Sequence, residues 1–252
     1  MNNTLSNGFN LLEYLAESGS CHSVTELADT FDLPASHICR LLKTLLETGY
    51  IQQRSDRRYQ ISVKVLALSH SCLTSLEVRN AARPYLFQLQ QKLNQDIYLS
   101  IPLDGRALTV DVVSSAPATR KSPSIGRINP VNSSSSGKLC AAFSSKEIQW
   151  KLLKEPLEKA SSKTITSPEV LAREFEKIRK QRFAESDGEN SGNVYSVAAP
   201  IFDGNGLLAA AVGSYRLNTP DFSMDMKQKM LNDVICCANA VSCELLAAGE
   251  KA

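Results

Sequence analysis

Histidine is scarce in this 252-residue chain, and its three copies, His22, His37 and His70, stand at no metal-ligand spacing. The seven cysteines, at 21, 39, 72, 140, 236, 237 and 243, form no zinc-like pairs. An odd count without a secretory signal pattern implies reduced thiols. Cys236, Cys237 and Cys243 fall in a helical stretch, where burial as small hydrophobes is expected. No apolar run reaches bilayer length, and the N-terminus is polar. These shortages predict a cytoplasmic chain with no membrane span, no metal and no cofactor. Internal repeats are absent. Positive charge is short as well: residues 1–61 hold five Lys/Arg against seven Asp/Glu. A nucleic-acid contact in this segment must therefore rest on a few well-placed cations.

What is present starts at Ser23. Ser23-Val24-Thr25-Glu26 is a capping box, and a helix Val24–Phe31 follows. Asp32-Leu33 turns the chain, Pro34 suits a first helical position, and a second helix runs from Ala35 to Thr48 before Gly49. Ile38, Leu41, Leu42 and Leu45 share one face of it; Ser36, Arg40, Lys43 and Glu47 share the other. Ser36, His37 and Arg40 occupy the first two turns, the part of a recognition helix that enters a major groove. Tyr50–Gln53 and Tyr59–Ile61 then read as a hairpin whose tip carries Arg54, Arg57 and Arg58. Helix, turn, helix and basic hairpin predict a winged helix-turn-helix. A plain packing or dimerisation module has the same outline without the cations.

Around this unit, a first helix spans 6–17 with Phe9, Leu12, Leu15 and Ala16 inward. Residues 62–75 read as a linker helix, and 77–93 as a longer helix bent near Pro84, either a dimer seam or a helix of its own domain. The period then changes to strands: 97–103 and 107–113 about Asp104-Gly105, and 194–202 and 207–216 about Asp203–Gly206. Between them lie a Ser/Pro/Ala loop over 114–124, a short helix from Gly137, a capping box at Ser144–Glu147 and a helix capped by Ser167-Pro168. A closing helix covers 221–248. Antiparallel strands grouped between helices make the second part α+β.

Four consecutive serines precede Gly137-Lys138. Three readings apply. Ser135-x-x-Lys138 matches a short Ser/Lys nucleophile pattern, which would make the domain hydrolase-like, but no companion motif follows. A loop entering a helix N-terminus offers free N–H groups to a carboxylate. A solvated polar loop is the third.

Several stretches together resemble one family. Leu33 to Leu45, Glu47-Thr48-Gly49-Tyr50-Ile51 and Arg58-Tyr59-Gln60-Ile61 resemble the DNA-reading signature of the IclR family of bacterial transcription regulators. Gly126–Pro130 through Gly137–Ala141, Thr164–Pro168 with Arg182-Phe183-Ala184, and Val197–Asp203 resemble its C-terminal motifs, in the family's order. The resemblance implies a winged helix-turn-helix over 1–61, a linker helix over 62–76 and a GAF-like α/β effector-binding and oligomerisation domain over 77–252. It also implies a pseudo-palindromic double-stranded operator, a homodimer or homotetramer, and a small-molecule effector. In the family, residues just before the Gly-Lys pair line the effector site, here Ser135 and Ser136. An acid follows on the later loop; an ungapped match gives Ser186, with Asp187 and Glu189 beside it. Ser196 replaces a frequent cysteine, and Ser214 matches a family serine, followed by Tyr215 in place of the usual glycine. Serines at 135, 136, 196 and 214 favour an effector that returns hydrogen bonds, a polar organic or sugar acid with its carboxylate near Gly137 and Lys138 or Arg127.

Overall fold

The computed structural model describes residues 3–115 and 122–249. The middle of the expected loop over 114–124 lies outside the described residues. The chain divides into two compact units, Met1–Ser75 and Leu76–Ala252, so the segment expected as a linker groups with the first unit through Ser75.

The first unit holds α1 (Asn3–Ser18), α2 (Val24–Phe31), α3 (Ala35–Glu47), β1 (Ile51–Gln53), β2 (Tyr59–Ile61) and α4 (Val65–Ser75). Both halves of the capping box form: Glu26 N–H reaches Ser23 Oγ at 3.2 Å, and Ser23 N–H reaches the Glu26 carboxylate at 2.7 Å. Asp32 closes α2 in the left-handed region at φ 50°, and Pro34 is the extended residue that precedes α3 rather than its first turn. Leu11, Leu15, Leu27, Ile38, Leu41, Leu42 and Ile51 make the core. The face expected on α1 is corrected by this packing. Leu11 and Leu15, four apart, carry the buried stripe, while Phe9 and Ala16 are exposed. Ile51 pairs with Ile61 in the hairpin, and His22 bridges to Tyr59, so the segment before α2 leans on the wing.

The second unit comprises α5 (Glu77–Leu93), β3 (Asp96–Leu103), β4 (Arg106–Val113), β5 (Ile128–Asn129), α6 (Ser135–Phe143), α7 (Lys146–Lys154), α8 (Pro168–Gln181), β6 (Ala184–Asp187), β7 (Val194–Phe202), β8 (Leu208–Leu217) and α9 (Met224–Gly249). Its six strands run antiparallel in the order β5-β4-β3-β8-β7-β6. Helices α5 and α9 pack on the strands from one side and α6 from the other, with α8 packed on α6, giving an α/β sandwich of GAF-like type. Ala107, Leu139, Ala141, Phe175, Ala198 and Ala211 belong to the core on the α6 side.

Several expectations change here. Helix α6 begins at Ser135, two residues before Gly137, with Ser134 as its cap. Helix α7 is capped by Ser145 bonding Ile148 N–H, without the reciprocal glutamate of a box. Strands β5 and β6 had no clear period-2 signal because each is so short. Finally, Met224–Ala247 of α9 contains an 18-residue stretch of mean hydropathy 1.4 and is long and apolar enough to cross a membrane by length and composition. Its Met230, Leu231, Val234, Ala238 and Val241 are buried against β7, β8 and α5, which accounts for that apolar stripe as core. Cys237 shares this burial, but Cys236 and Cys243 turn outward, against the expectation for all three.

Candidate functional site

Two separate sets of side chains stand out, one in each unit. In the first, α3 turns Ile38, Leu41 and Leu42 into the core and leaves Ser36, Arg40 and Lys43 exposed. His37 is half-buried between neighbours. Arg40 Nη2 donates to His37 Nδ1 at 2.9 Å, and the Asn7 amide of α1 meets His37 Nε2 at 3.5 Å. This contact restrains the guanidinium close to α3 and leaves it less side-chain entropy to lose in a further contact. Lys43 lies 3.9 Å from Glu47, both well exposed, a pair too solvated to hold Lys43 back.

The wing tip closes by Arg54 N–H donating to Arg58 carbonyl at 2.8 Å, and Arg57 takes a left-handed φ of 63°. Its three arginines are exposed but not equivalent. Arg58 lies 3.6 Å from Glu26, the capping carboxylate of α2, so it braces the wing against that helix. Backbone and hydroxyl donation by Ser23 holds Glu26 below the usual carboxylate range, ahead of the attraction of Arg58. Arg54 reaches Cys21 Sγ at 3.8 Å. Among the described residues Arg57 makes no ion pair. The net deficit of positive charge in this unit thus coexists with one cationic face and one cationic tip.

In the second unit, a cavity of about 50 Å³ opens where the start of α6 meets the sheet. Ser135, Ser136 and Ser196 line it together, as do Tyr98, Thr109, Arg127, Asn129, Asn190 and Tyr215. Gly137 allows this arrangement from behind. A Cβ there would run into the Pro130 carbonyl and Ser134 Oγ, which wrap over the helix start. Ser134 Oγ caps Gly137 N–H at 3.0 Å, and Lys138 N–H bonds Ser134 carbonyl. The N–H groups of Ser135 and Ser136 have no acceptor within the helix.

The serines are not waiting for partners, which corrects the reasoning from unpaired hydroxyls. Ser135 Oγ lies 2.9 Å from Ser196 Oγ and 2.9 Å from the Tyr98 hydroxyl. Burial pushes Tyr98 up to about 12, so it remains a neutral phenol. Gly213 leaves room for the Tyr98 ring, because a Cβ there would strike it.

Asp187, Glu189 and Ser214 do not line this cavity. Strand parity separates them: Ser186 pairs with Ser196, so Asp187, paired with Tyr195, falls on the α9 side. There Asp187 binds Lys227 at 2.7 Å and Asn218 at 2.9 Å. Ser214 pairs with Val197 and Ile97, the same far side. Glu189 binds Lys138 Nζ at 2.6 Å. Burial raises the Glu189 carboxyl, and the Lys138 ammonium pulls it back. Ser186 itself donates to Ser133 carbonyl at 2.6 Å. Lys138 is 1 % exposed and also faces Glu174 at 3.7 Å, so it is neither solvent-facing nor a base for Ser135. The ammonium that the hydrolase alternative needs as a base for Ser135 is instead paired with two carboxylates.

Tyr98, Thr109, Asn129, Asn190 and Tyr215 escaped the sequence reading as lining residues, whereas Arg127 was expected as a charge near the effector carboxylate. Tyr215 carried the one available signal: antiparallel pairing sets it directly across from Ser196.

Comparison with known proteins identifies the family. The family model described as "IclR helix-turn-helix domain" matches residues 4–55, and that described as "Bacterial transcriptional regulator IclR C-terminal" matches residues 70–243. The chain is 29% identical to the transcriptional repressor IclR of Escherichia coli, over 79% of this chain and 74% of that protein. The crystal structure of the Thermotoga maritima IclR is similar at 26% identity and a TM-score of 0.69, covering 98% of this chain and 100% of that one. An IclR homolog from Microbacterium hydrocarbonoxydans, crystallised with 4-hydroxybenzoate, shares the fold at 20% identity and a TM-score of 0.76, covering 97% and 100%.

Proposed function

The chain belongs to the IclR family of bacterial transcription regulators, a DNA-binding regulator with a C-terminal effector-binding domain and not an enzyme, and we propose that its effector is a polar organic acid, sugar acids included. The observation that carries this reading is the cavity beside α6. It is lined by hydroxyls and amides, has Arg127 exposed at its edge, and lies at the start of a helix, Ser135 and Ser136 being among its lining residues. Ser135, Ser136 and Ser196 contact the effector, with Gly137 shaping the turn behind them. Asp187, Glu189 and Ser214 act from outside, as supports of the surrounding strands. The Microbacterium hydrocarbonoxydans relative was crystallised with 4-hydroxybenzoate; a flat apolar ring finds few partners here. Calorimetry with sugar acids and aromatic acids tests the class. Tight binding of an aromatic acid, indifferent to Ser135→Ala and Ser196→Ala, overturns it.

The DNA reading is a cytoplasmic homodimer or homotetramer on a pseudo-palindromic operator. Ser36, His37, Arg40 and Lys43 enter the groove, Arg54, Arg57 and Arg58 hold phosphates, and segment 62–76 links the 1–61 and 77–252 domains. One copy supplies too few cations for tight binding alone, and a second recognition helix about 34 Å away doubles them. Leu5 and Phe9 on α1 and Leu66 and Leu68 on α4 are exposed, apolar surface of the kind an assembly covers. Sedimentation is expected to show a dimer or tetramer; a monomer that grips one half-site tightly contradicts this. Arg57→Ala is expected to weaken binding to every sequence and to flatten the plot of log affinity against log salt by about 0.9 for a lost phosphate contact. Arg58→Ala acts more through the wing's attachment to Glu26. An unchanged salt slope for both variants removes the wing from the interface.

A further inference from the structure

We propose that Lys64, the residue before α4, is a positioning residue for operator recognition. It clasps the start of α4 to the end of the recognition helix α3, and so sets the spacing at which two copies of that helix meet DNA. The proposal rests on the two-copy DNA reading above and adds the residue that fixes its geometry.

Helix α3 ends in a turn whose carbonyls are mostly taken by backbone donors. Thr48 N–H bonds Thr44 carbonyl at 2.9 Å, Gly49 N–H bonds Leu46 carbonyl at 3.0 Å, and Tyr50 N–H bonds Leu45 carbonyl at 3.0 Å. The Thr48 carbonyl goes instead to Lys64, whose Nζ donates to it at 2.6 Å. A cation suits this end of the helix dipole. The ammonium also lies 4.8 Å from the centre of the Tyr50 ring. The lysine stem passes Gly49, where a Cβ would meet Lys64 Cδ at 3.4 Å. Ser62 N–H bonds Tyr50 carbonyl at 2.9 Å, so Ser62 and Lys64 both fasten to the residues that follow α3.

Beyond that point little holds α4. None of its 11 residues is buried. Leu68 borders the groove between α1 and α3 but stays 58% exposed, and Leu66 is 68% exposed. These outer side chains are the surface an assembly covers, so a second copy seated on α4 is tied to α3 through Lys64. The leverage is large. With 13 residues α3 is about 20 Å long, and a tilt of about 10° at Thr48 carries its first turn about 3 Å, close to the rise of one base pair.

The test uses the full chain and a duplex that it selects from a random pool, with a second duplex carrying one extra base pair between the half-sites. Wild type, Lys64→Met, Lys64→Gln and Lys64→Arg are titrated on both over a range of salt. Thermal melts confirm folding, and two loss variants of different polarity guard against a folding defect in either. The wild type is expected to prefer the selected spacing about tenfold. In Lys64→Met and Lys64→Gln that preference is expected to shrink to about twofold, with affinity for the selected duplex down about fivefold and the salt slope unchanged, because the lost hydrogen bond lies outside the DNA. Lys64→Arg keeps a donor and a cation for the Tyr50 ring, and is expected to restore the preference. A flatter salt slope with full spacing preference makes Lys64 a phosphate contact and overturns the proposal. So does wild-type preference in both loss variants, since α4 is then held elsewhere. A wild type indifferent to spacing overturns the two-copy reading itself, and the proposal with it.

Discussion

Arg40→Ala is expected to lower operator affinity by about 1–3 kcal/mol and to relax sequence preference while leaving the fold intact. Arg40 sits on the exposed face of α3, opposite Ile38, Leu41 and Leu42, so truncation removes nothing from the core. Its guanidinium is held by His37 Nδ1 at 2.9 Å, and His37 is held in turn by Asn7 of α1. His37→Ala is therefore expected to cost less than Arg40→Ala and in the same direction, because it frees the guanidinium without removing it. Operator titrations with matched and single-base-mismatched duplexes measure both. If Arg40 reads a base, the variant loses discrimination at one position in each half-site. If it holds only a phosphate, affinity falls equally for all duplexes and the salt dependence flattens. Unchanged affinity and specificity remove Arg40 from the interface.

The winged helix was legible because its signals are local. The Ser23/Glu26 box, the apolar stripe Ile38-Leu41-Leu42 and the polar hairpin tip all lie within a few residues of what they determine. The hairpins at Asp104-Gly105 and Asp203–Gly206 were legible for the same reason. The cavity beside α6 was legible only where one helix start defined it, at Ser135 and Ser136. Its other wall comes from strand pairing, and pairing decides face by parity. Without β6 recognised as a strand, Ser186 and Asp187 had no assigned sides, and Asp187 was placed in a site it faces away from. Ser214 failed by the same one-residue step, with Tyr215 as the residue that lines the cavity. On β4 an irregularity opposite Leu99/Ser100 sets Thr109 toward the cavity and Asp111 toward Arg79 of α5 at 3.2 Å, a flip that regular alternation does not announce. The buried state of Lys138 was hidden because both partners, Glu174 and Glu189, are far along the chain.

That buried lysine yields the second large effect. Lys138 projects from α6 shortly after Ser135 and Ser136, which line the cavity, and its ammonium joins Glu189 on the loop before β7 and Glu174 on α8. Asn190, the next residue on that loop, lines the cavity. Lys138→Ala removes the cation and leaves two largely buried carboxylates facing each other. Breaking a buried pair in this way costs about 3–5 kcal/mol. For a domain of this size that is a fall in melting temperature of roughly 6–20 °C. The pH dependence has a definite sign. Burial already raises Glu189 above its unfolded value even with Lys138 present, and removing Lys138 raises it further. In the window between the unfolded and folded values the folded state binds more protons, so stability falls as pH rises. The variant is therefore expected to lie furthest below the wild type at neutral pH and to recover as pH falls toward the carboxylate range. Glu189→Gln keeps a hydrogen-bond acceptor for Lys138 and retains Glu174, so its loss is expected to be smaller and nearly independent of pH. Thermal melts of the three proteins between mildly acidic and neutral pH decide the matter. A Lys138→Ala protein as stable as the wild type at neutral pH, or one whose deficit widens in acid, shows that this ion pair does not hold the loop beside the cavity.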